Sequence, residues 1–199
     1  MWPRIDWASE QQRRFALSGP HATLMLGGYG SAKTFGACVK LHRLLTKYPG
    51  SRWAIVRRVY KQLKATTMVT FDQLTPDWAL ASRNDQEGTR EFVNGSKVHF
   101  LGLDTPGSMG VLQGLEINGA FVDQAEEISE KAWDTIDARV GRWTKLAGKM
   151  PPRYLFATAN PTDELHWLYE RFADESPQRE QWKAVDGTLR GIWMQGCTV

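Results

Sequence analysis

A glycine-rich loop that joins an apolar strand to an amphipathic helix is the feature that most constrains this chain. Residues 21–26 have the short apolar pattern of a buried strand, and apolar side chains recur at helical spacing from Phe35 to Leu45. The segment between them departs at one position from the phosphate-binding pattern of glycine, four residues, glycine, lysine and serine or threonine. It consists of Gly27, Gly28, Tyr29, Gly30, Ser31, Ala32, Lys33 and Thr34.

The loop predicts a triphosphate site. Glycines let successive amide N–H groups turn toward an anion, and the following helix adds its positive end. We expect Lys33 to reach the β- and γ-phosphates and the Thr34 hydroxyl to bind magnesium. Ala32 stands where the pattern has its second glycine, so the pattern is kept only if this residue has a negative φ. The competing interpretation is a glycine-rich turn that happens to contain a lysine.

Apolar segments further along the chain predict more strands of one sheet, with polar side chains where they end. Asp123 ends the segment 119–123, where a carboxylate that positions magnesium is expected, and Asn160 follows residues 154–159. Because parallel strands end at one edge of a sheet, we expect Asn160 near the γ-phosphate or the attacking water. An aspartate that begins a loop and an asparagine in a turn are the ordinary alternatives.

The order of strand, helix and strand predicts an α/β fold. The second strand, residues 53–56, ends in Arg57 and Arg58. A strand–helix–strand unit implies a parallel sheet, because the crossover returns the chain in the same direction. The Asn-Gly pair at residues 94–95 accepts the positive φ angles of a tight turn, which predicts an inserted β-hairpin.

Three more helices are predicted from their first residues. Ser9 and Ser129 are suited to cap helix N-termini, and the second of these helices is expected to run to about Arg139. Thr162 is followed by acidic residues that favour a first turn, which predicts a helix to about Ala173. No element is predicted after that point.

The group that activates water is ambiguous in the sequence. The residue after Asp123 is Gln124, and an amide is no general base, although it can orient a water molecule. Glu126 and Glu127 follow closely, and either carboxylate is a candidate for the base. Their ordinary role would be to favour the start of a helix.

Arginines are candidates for stabilising charge at the transferred phosphate, either from the same chain or from a neighbouring subunit. Most surface arginines have no such role, so each of these is only a candidate. They are Arg57, Arg58, Arg139 and Arg142.

Composition limits the class of protein. A chain of 199 residues that is 42% hydrophobic and 24% charged is expected to form one domain with a core. No apolar run approaches the roughly 18 residues needed to cross a bilayer. Cys38 and Cys197 make no disulfide framework, and the first residues lack the apolar stretch of a secretory signal, which predicts a cytosolic, reduced protein.

Charge is distributed unevenly along the chain. Residues 1–64 contain 12 basic and 2 acidic residues, whereas residues 65–199 contain 13 basic and 20 acidic residues. The basic part suggests a polyanionic partner or a phosphate site. The alternative is a solvated surface whose two parts neutralise each other in the fold.

With these segments in this order, the sequence resembles the ATPase domain of tailed-phage terminase large subunits, the motors that package viral DNA. The resemblance covers about residues 8–175 and rests on the joint order and spacing of several motifs. They are Gln11-Gln12 before the first strand, residues 27–34 as Walker A, Arg57-Arg58, Leu112-Gln113-Gly114, residues 120–128 as Walker B, residues 133–142, and residues 158–161 as the coupling motif.

The resemblance assigns roles to these residues. Lys33 and Thr34 would bind the triphosphate and magnesium, Asp123 would bind magnesium, and Asn160 would sense the state of the nucleotide. Gln12, rather than Gln11, would hold adenine, because it better matches the glutamine-to-aromatic spacing of the family.

Three departures from the family pattern stand out. Tyr29 lies where many relatives have an arginine in the loop, and Gln113 lies near where some place an arginine that acts on a neighbouring subunit. Both departures move the search for that arginine to the four candidates above. Gln124 replaces the usual catalytic glutamate, which moves the predicted base to Glu126 or Glu127.

By resemblance, the chain is a three-layer P-loop NTPase of the ASCE type with a mainly parallel central sheet and a β-hairpin insertion. We expect residues 1–175 to form the ATPase domain and residues 176–199 a tail or the start of a linker or lid, with no nuclease domain.

The implied function is an ATP-hydrolysing motor that uses ATP and Mg²⁺ to move double-stranded viral DNA into a procapsid. Implied partners are duplex DNA bound independently of sequence, a portal protein, a small terminase subunit and identical subunits in a ring. The place of action would be the cytoplasm of the bacterial host, transiently at the portal. The alternatives are a nucleotide-binding assembly module with impaired hydrolysis, suggested by Ala32 and Gln124, and another nucleic-acid motor such as a helicase-like ATPase.

Overall fold

A mixed β-sheet forms the centre of the computed structural model, which describes residues 5–19, 21–146, 148–151, 153–172, 180–183 and 189–196. Nine strands of the described residues belong to this sheet. They are β1 (His21–Leu26), β2 (Arg52–Arg57), β3 (Leu80–Asn84), β4 (Thr89–Phe92), β5 (Lys97–Gly102), β6 (Gly119–Asp123), β7 (Tyr154–Ala159), β8 (Glu180–Lys183) and β9 (Leu189–Gly196).

The strand order is β3-β4-β5-β2-β6-β7-β1-β9-β8, and the five strands from β5 to β1 are parallel. Strand β7 lies between β1, which leads into the glycine-rich loop, and β6, which ends in Asp123. This arrangement confirms the predicted fold class. Because the five strands are parallel, the residues that follow β1, β2, β6 and β7 meet at one edge of the sheet.

Helices cover both faces of the sheet, which makes three layers. In β2, Trp53 and Ile55 pack against the face that carries α2 and α4, while Ala54 and Val56 pack against the face of α5 and α6. This alternation follows the period of two along a strand. None of the described helices is long and apolar enough to cross a membrane. The helices are α1 (Glu10–Leu17), α2 (Lys33–Lys47), α3 (Tyr60–Ala65), α4 (Thr67–Leu74), α5 (Ser108–Gly114), α6 (Glu130–Arg139) and α7 (Trp167–Phe172).

The predicted helix caps and the predicted hairpin are present. The Ser9 hydroxyl accepts a hydrogen bond from the Gln12 amide at 3.1 Å, and the Ser129 hydroxyl accepts one from the Ala132 amide at 3.2 Å. The turn between β4 and β5 has a φ of 81° at Gly95. The hairpin is larger than expected, because β3 extends it, and β5 joins it to the parallel sheet by pairing with β2.

The prediction of a helix beginning at Thr162 is wrong, since α7 begins only at Trp167. Asp163 explains the difference, because its carboxylate accepts a hydrogen bond from the Leu165 amide at 3.0 Å. Its backbone carbonyl also accepts one from the His166 amide at 3.2 Å. Local bonds of this kind give the backbone an alternative to a helical turn.

The sheet continues past the predicted end of the ATPase core. We expected residues 176–199 to lie outside that core as a tail or linker, but β9 pairs with β1 in antiparallel register, with Leu24 opposite Met194. Strand β8 in turn pairs with β9. The sheet therefore includes segments on both sides of residue 175, and the division of the chain at that residue stays a prediction.

Lys40 carries an amino group that is buried in the core without a carboxylate partner among the described residues. It is 1% exposed, and its Nζ donates to the Ser18 and Thr23 hydroxyls and lies 4.9 Å and 5.0 Å from the ring centroids of Phe15 and Phe156. Burial lowers the pKa of Lys40 to about 7, with a smaller contribution from the charge of Arg43. The core therefore contains a group that is costly to protonate.

We expect Lys40→Met to raise the free energy of unfolding by about 2 kcal/mol at pH 7. The gain should shrink by up to about 1.4 kcal/mol per pH unit above pH 7 and should be lost by about pH 9, because between pH 7 and pH 10.5 the unfolded chain holds a proton that the folded chain has released. Urea denaturation of the variant and of the unaltered chain at several pH values measures this difference in the free energy of unfolding. Lys47→Met, on the exposed side of the same helix, is the matched control, and a gain that does not change with pH would contradict this account.

Candidate functional site

A cleft of about 380 Å³ opens at the edge where the parallel strands end. Its walls are formed by residues that follow β1, β6 and β7, by the last residues of β2 and β6, and by the segment where α4 begins. Its lining residues are Tyr29, Gly30, Ser31, Ala32, Lys33, Thr34, Phe35, Arg57, Thr66, Thr70, Asp123, Gln124 and Asn160.

The loop 27–32 is bonded to β7 at its start, is closed by a bond within itself and turns through left-handed conformations. The Gly27 amide donates to the Ala159 carbonyl at 3.1 Å, and the Ser31 hydroxyl donates to the Gly28 carbonyl at 2.7 Å. Gly30 has a φ of 73° and Ala32 a φ of 56°. The expectation of a negative φ at Ala32 is therefore wrong, because the loop keeps the backbone shape of the glycine pattern even though the side chain disfavours it.

We expect Ala32→Gly to stabilise the fold by about 1 kcal/mol, because a left-handed alanine is strained and glycine is not. The melting temperature should rise by about 2–4 °C. The control is Ala37→Gly inside α2, where glycine should lower stability by about 1 kcal/mol or more. Thermal unfolding monitored by circular dichroism measures both, and a loss of stability in Ala32→Gly would contradict the assigned strain.

Lys33 lies inside the curve of the loop. Its half-buried Nζ donates to the carbonyls of Gly27 and Gly28, the latter at 2.8 Å, and to Asn160 Oδ1 at 3.2 Å. Burial lowers the pKa of Lys33, while the charges of Glu126 and Asp123 act in the opposite direction. Nζ also donates to the Ser31 hydroxyl at 3.3 Å, so the described groups that contact this cation are neutral oxygens, which suits an anionic ligand.

Asp123 ends β6 and accepts hydrogen bonds from hydroxyl groups of three elements. Oδ1 accepts from Thr34 at 3.0 Å and from Thr158 at 2.7 Å, and Oδ2 accepts from Thr67. The paired hydroxyl of Thr34 and carboxylate of Asp123 are hard oxygen donors. Mg²⁺ is usually bound by one or two such protein groups together with substrate phosphates and water, so these residues fit it.

Glu126 is linked to the cleft through Asn160. Asn160 Nδ2 donates to Glu126 Oε1 at 2.6 Å, while Glu126 Oε2 is buried and has no hydrogen-bond partner among the described residues. Burial is the main cause that raises the pKa of Glu126, and the charge of Glu127 adds to it. Of the two candidate carboxylates, only Glu126 has a described contact with the residues around Lys33.

Gln124 occupies the wall of the cleft in a strained conformation. Its φ is 53°, in the left-handed region, and its Oε1 is buried without a partner among the described residues. Strained backbone is held in place only by the surrounding structure and occurs often at functional sites. Gln124 thus contributes a neutral polar residue to the wall of the cleft.

Gln12 attaches α1 to the start of α2. The residue is fully buried, its Nε2 donates to the Ala32 carbonyl at 2.7 Å, and its Oε1 accepts from the Ala8 amide at 2.9 Å. A methyl group at Gly36 would lie 2.8 Å from Gln12 Cγ, so the close approach needs glycine there. The structure thus brings Gln12 to the loop, and a contact with adenine stays a prediction.

Of the four arginine candidates, Arg57 alone lines the cleft. Arg57 lines the cleft and is 8% exposed, whereas its neighbour Arg58 is exposed and lies outside the cleft. Arg139 lines a separate cavity of about 540 Å³ beside α5 and α6, which Gln113 also lines. Arg142 is exposed, and its Nε donates to the Ala138 carbonyl at 3.1 Å. Neither Arg139 nor Arg142 reaches the cleft of its own chain.

Of the threonines that contact Asp123 or Arg57, the sequence pattern indicated a role for Thr34 but not for Thr66, Thr67 or Thr158. Thr158 belongs to the motif 158–161, and its position near the end of an apolar strand is the signal that could have indicated its contact with Asp123. Thr66 and Thr67 lie at the break between α3 and α4, where the backbone of Thr66 has φ −126° and ψ −72°. No sequence pattern marks that break.

The fold and the cleft define the class of this protein, an α/β domain of the P-loop NTPase type. A family model described as phage terminase large subunit matches residues 21–189, and the chain belongs to that family. No curated protein sequence matches this chain.

Solved structures of phage large terminases share the fold. The large terminase of the thermophilic bacteriophage D6E has 14% identity and a TM-score of 0.66, with 82% of this chain covering 42% of that one. The ATPase domain of the Thermus phage P74-26 large terminase has 19% identity and a TM-score of 0.60, and the match covers 83% of this chain and 69% of that one. The HK97 bacteriophage large terminase has 12% identity and a TM-score of 0.63, and the match covers 83% of this chain and 35% of that one. The chain thus spans about two fifths of the D6E protein.

Proposed function

We propose that this domain hydrolyses ATP to power the movement of double-stranded viral DNA into a procapsid. The observation that carries the proposal is the placement of Lys33, Thr34 and Asp123 around one cleft, in the loop and strand order that nucleotide-binding domains use. Membership of the terminase family supports the motor role. The D6E large terminase, which shares the fold, has been solved with ADP and with ATP-γ-S.

The substrate would be ATP, and Mg²⁺ would be held by Thr34 and Asp123. When bound, the metal would neutralise charge on the phosphates. The amides of the loop 27–32 would face the phosphates, and Lys33 would move from the loop carbonyls to the phosphate oxygens. Gln12 would hold adenine directly, or would position it indirectly through the hydrogen bond from Gln12 Nε2 to the Ala32 carbonyl.

Glu126 is the carboxylate best placed to act as the base. In hydrolysis, the water oxygen forms a bond to the γ-phosphorus, the bond to the β,γ-bridging oxygen breaks, and the proton of the water passes to the base. Asn160 contacts both Lys33 and Glu126, so it connects the phosphate-binding cation to this base. Gln124 would orient the water through its side-chain amide.

DNA binding and a contribution from a neighbouring subunit would require several subunits and partners to assemble. Contacts to duplex DNA would be made to phosphates and be independent of sequence, because a motor has to follow any sequence. A homo-oligomeric ring on a portal protein, loaded by a small terminase subunit in the host cytoplasm, would be the working form. In a ring, Arg139 or Arg142 would be presented to the cleft of a neighbouring subunit.

One observation favours a second candidate function. Gln124 lies in the cleft where a glutamate is usual, which favours a nucleotide-binding assembly module that does not hydrolyse ATP. A helicase-like motor is the third candidate function.

The test measures ATP hydrolysis with duplex DNA, with single-stranded DNA and without DNA. Greater stimulation by duplex DNA supports the packaging motor, greater stimulation by single strands supports the helicase-like motor, and binding without turnover supports the module.

A further inference from the structure

Arg57 is a buried guanidinium in the wall of the cleft that the proposed reaction has not yet used. It is the last residue of β2, next to β6 in the sheet, which brings it beside Asp123. Its side chain is 10% exposed, and the residue lines the same cleft as Lys33 and Thr34. A buried charge of this kind requires an anion or several hydrogen-bond acceptors.

The described residues around Arg57 do not accept hydrogen bonds from all the N–H groups of its guanidinium. Its Nη1 donates to the Thr66 hydroxyl at 2.8 Å, but the nearest oxygen of Asp123 lies 3.7 Å away, beyond hydrogen-bond distance. Both oxygens of Asp123 already accept from threonine hydroxyls. The Nε–H of Arg57 is buried and has no partner among the described residues.

The missing partner is best supplied by a phosphate. A guanidinium presents five N–H donors in a planar fork that matches phosphate oxygens in pairs, and a buried donor without an acceptor is costly. The other cation in the cleft, Lys33, lies inside the loop. Arg57 lies across the cleft from the loop on the side of Asp123, because β6 and β7 separate β2 from β1.

We propose that Arg57 contacts the terminal phosphate of a nucleoside triphosphate bound in the same chain. A phosphate chain that starts in the loop and points toward Asp123 brings only its last phosphate near Arg57. The residue therefore distinguishes a triphosphate from a diphosphate and stabilises charge on the transferred group. This inference rests on the proposed nucleotide site. Thr66 orients the guanidinium and lies where α3 meets α4, so the contact also reaches that pair of helices.

The competing role for Arg57 is purely structural, as a counter-ion for Asp123. The two roles differ in what they predict for nucleotides. A contact to the last phosphate affects the affinity for a triphosphate and leaves that for a diphosphate unchanged. A structural role affects both affinities alike, because it acts through the shape of the site.

The test measures the affinities of Mg²⁺ with ATP-γ-S and of Mg²⁺ with ADP for the chain and its variants. In Arg57→Ala we expect the affinity for ATP-γ-S to fall at least about tenfold and that for ADP to stay within about twofold. Arg57→Lys keeps the charge but loses the fork, and we expect an intermediate loss for ATP-γ-S alone. Arg58→Ala, an equal change at the exposed neighbour, should alter neither affinity.

Equal losses for both nucleotides, or no loss for either, would overturn the inference. Thermal unfolding of each variant identifies loss of fold, and if Arg57→Ala does not fold, the affinity ratio of Arg57→Lys decides. If the unaltered chain binds neither nucleotide, the proposed nucleotide site itself is wrong. A chain that binds both nucleotides and keeps its affinity ratio in Arg57→Ala shows that only the role of Arg57 is wrong.

Discussion

Replacing Glu126 by glutamine is expected to lower kcat for ATP hydrolysis by about 100- to 10,000-fold, the range that a positioned general base contributes. Nucleotide affinity should change little, because a general base acts on the attacking water and the substitution keeps the size of the side chain. The hydrogen bond from Asn160 can form to the amide oxygen of glutamine, so the substitution removes the base and keeps the contact.

Glu127→Gln is the matched control for this change. It removes one carboxylate from the adjacent residue, which has no described side-chain contact with Lys33 or Asn160, and we expect kcat to stay within about threefold of that of the unaltered chain. Single-turnover hydrolysis separates chemistry from product release in both variants. A large loss in Glu127→Gln with none in Glu126→Gln would assign the base to Glu127 and contradict the contact-based choice.

Lys33→Ala is expected to weaken binding of Mg²⁺ with ATP-γ-S about 100-fold and to lower kcat by a further factor of about 100 or more. The physical reason is that Lys33 is the cation at the centre of the loop, and its Nζ donates to carbonyl, hydroxyl and amide oxygens that phosphate oxygens can replace. Fluorescence competition with a labelled nucleotide measures the affinity, and phosphate release measures the rate.

The control for Lys33→Ala removes the same charge elsewhere. Lys61 is exposed on α3 and outside the cleft, so Lys61→Ala should leave ATP-γ-S affinity unchanged. A Lys33→Ala variant that binds ATP-γ-S as tightly as the unaltered chain would show that the loop does not hold the phosphates.

The parts of the fold that were predicted correctly are those in which local pattern and tertiary environment agree. Strands β1, β6 and β7 are short apolar runs buried on both faces, which is typical of the centre of a parallel sheet. The caps at Ser9 and Ser129 follow from side chains that compete for backbone amides. Placing Asp123 beside Thr34 required only that parallel strands end together.

The parts that were not predicted depend on contacts between distant segments. The φ of Ala32 is set by the loop that holds it, although an isolated alanine avoids that conformation. Thr67 reaches Asp123 from a helix pair that has no distinctive pattern. The choice of Glu126 over Glu127 depends on the side chain of Asn160, 34 residues further along the chain, and the pairing of β9 with β1 depends on which sheet edge is free.

The most direct test of the central claim is steady-state ATP hydrolysis by this chain at high protein concentration, with Mg²⁺ and with or without duplex DNA. The account predicts turnover that duplex DNA stimulates and that Lys33→Ala abolishes. Tight binding of ATP-γ-S without turnover, with or without duplex DNA, would contradict it.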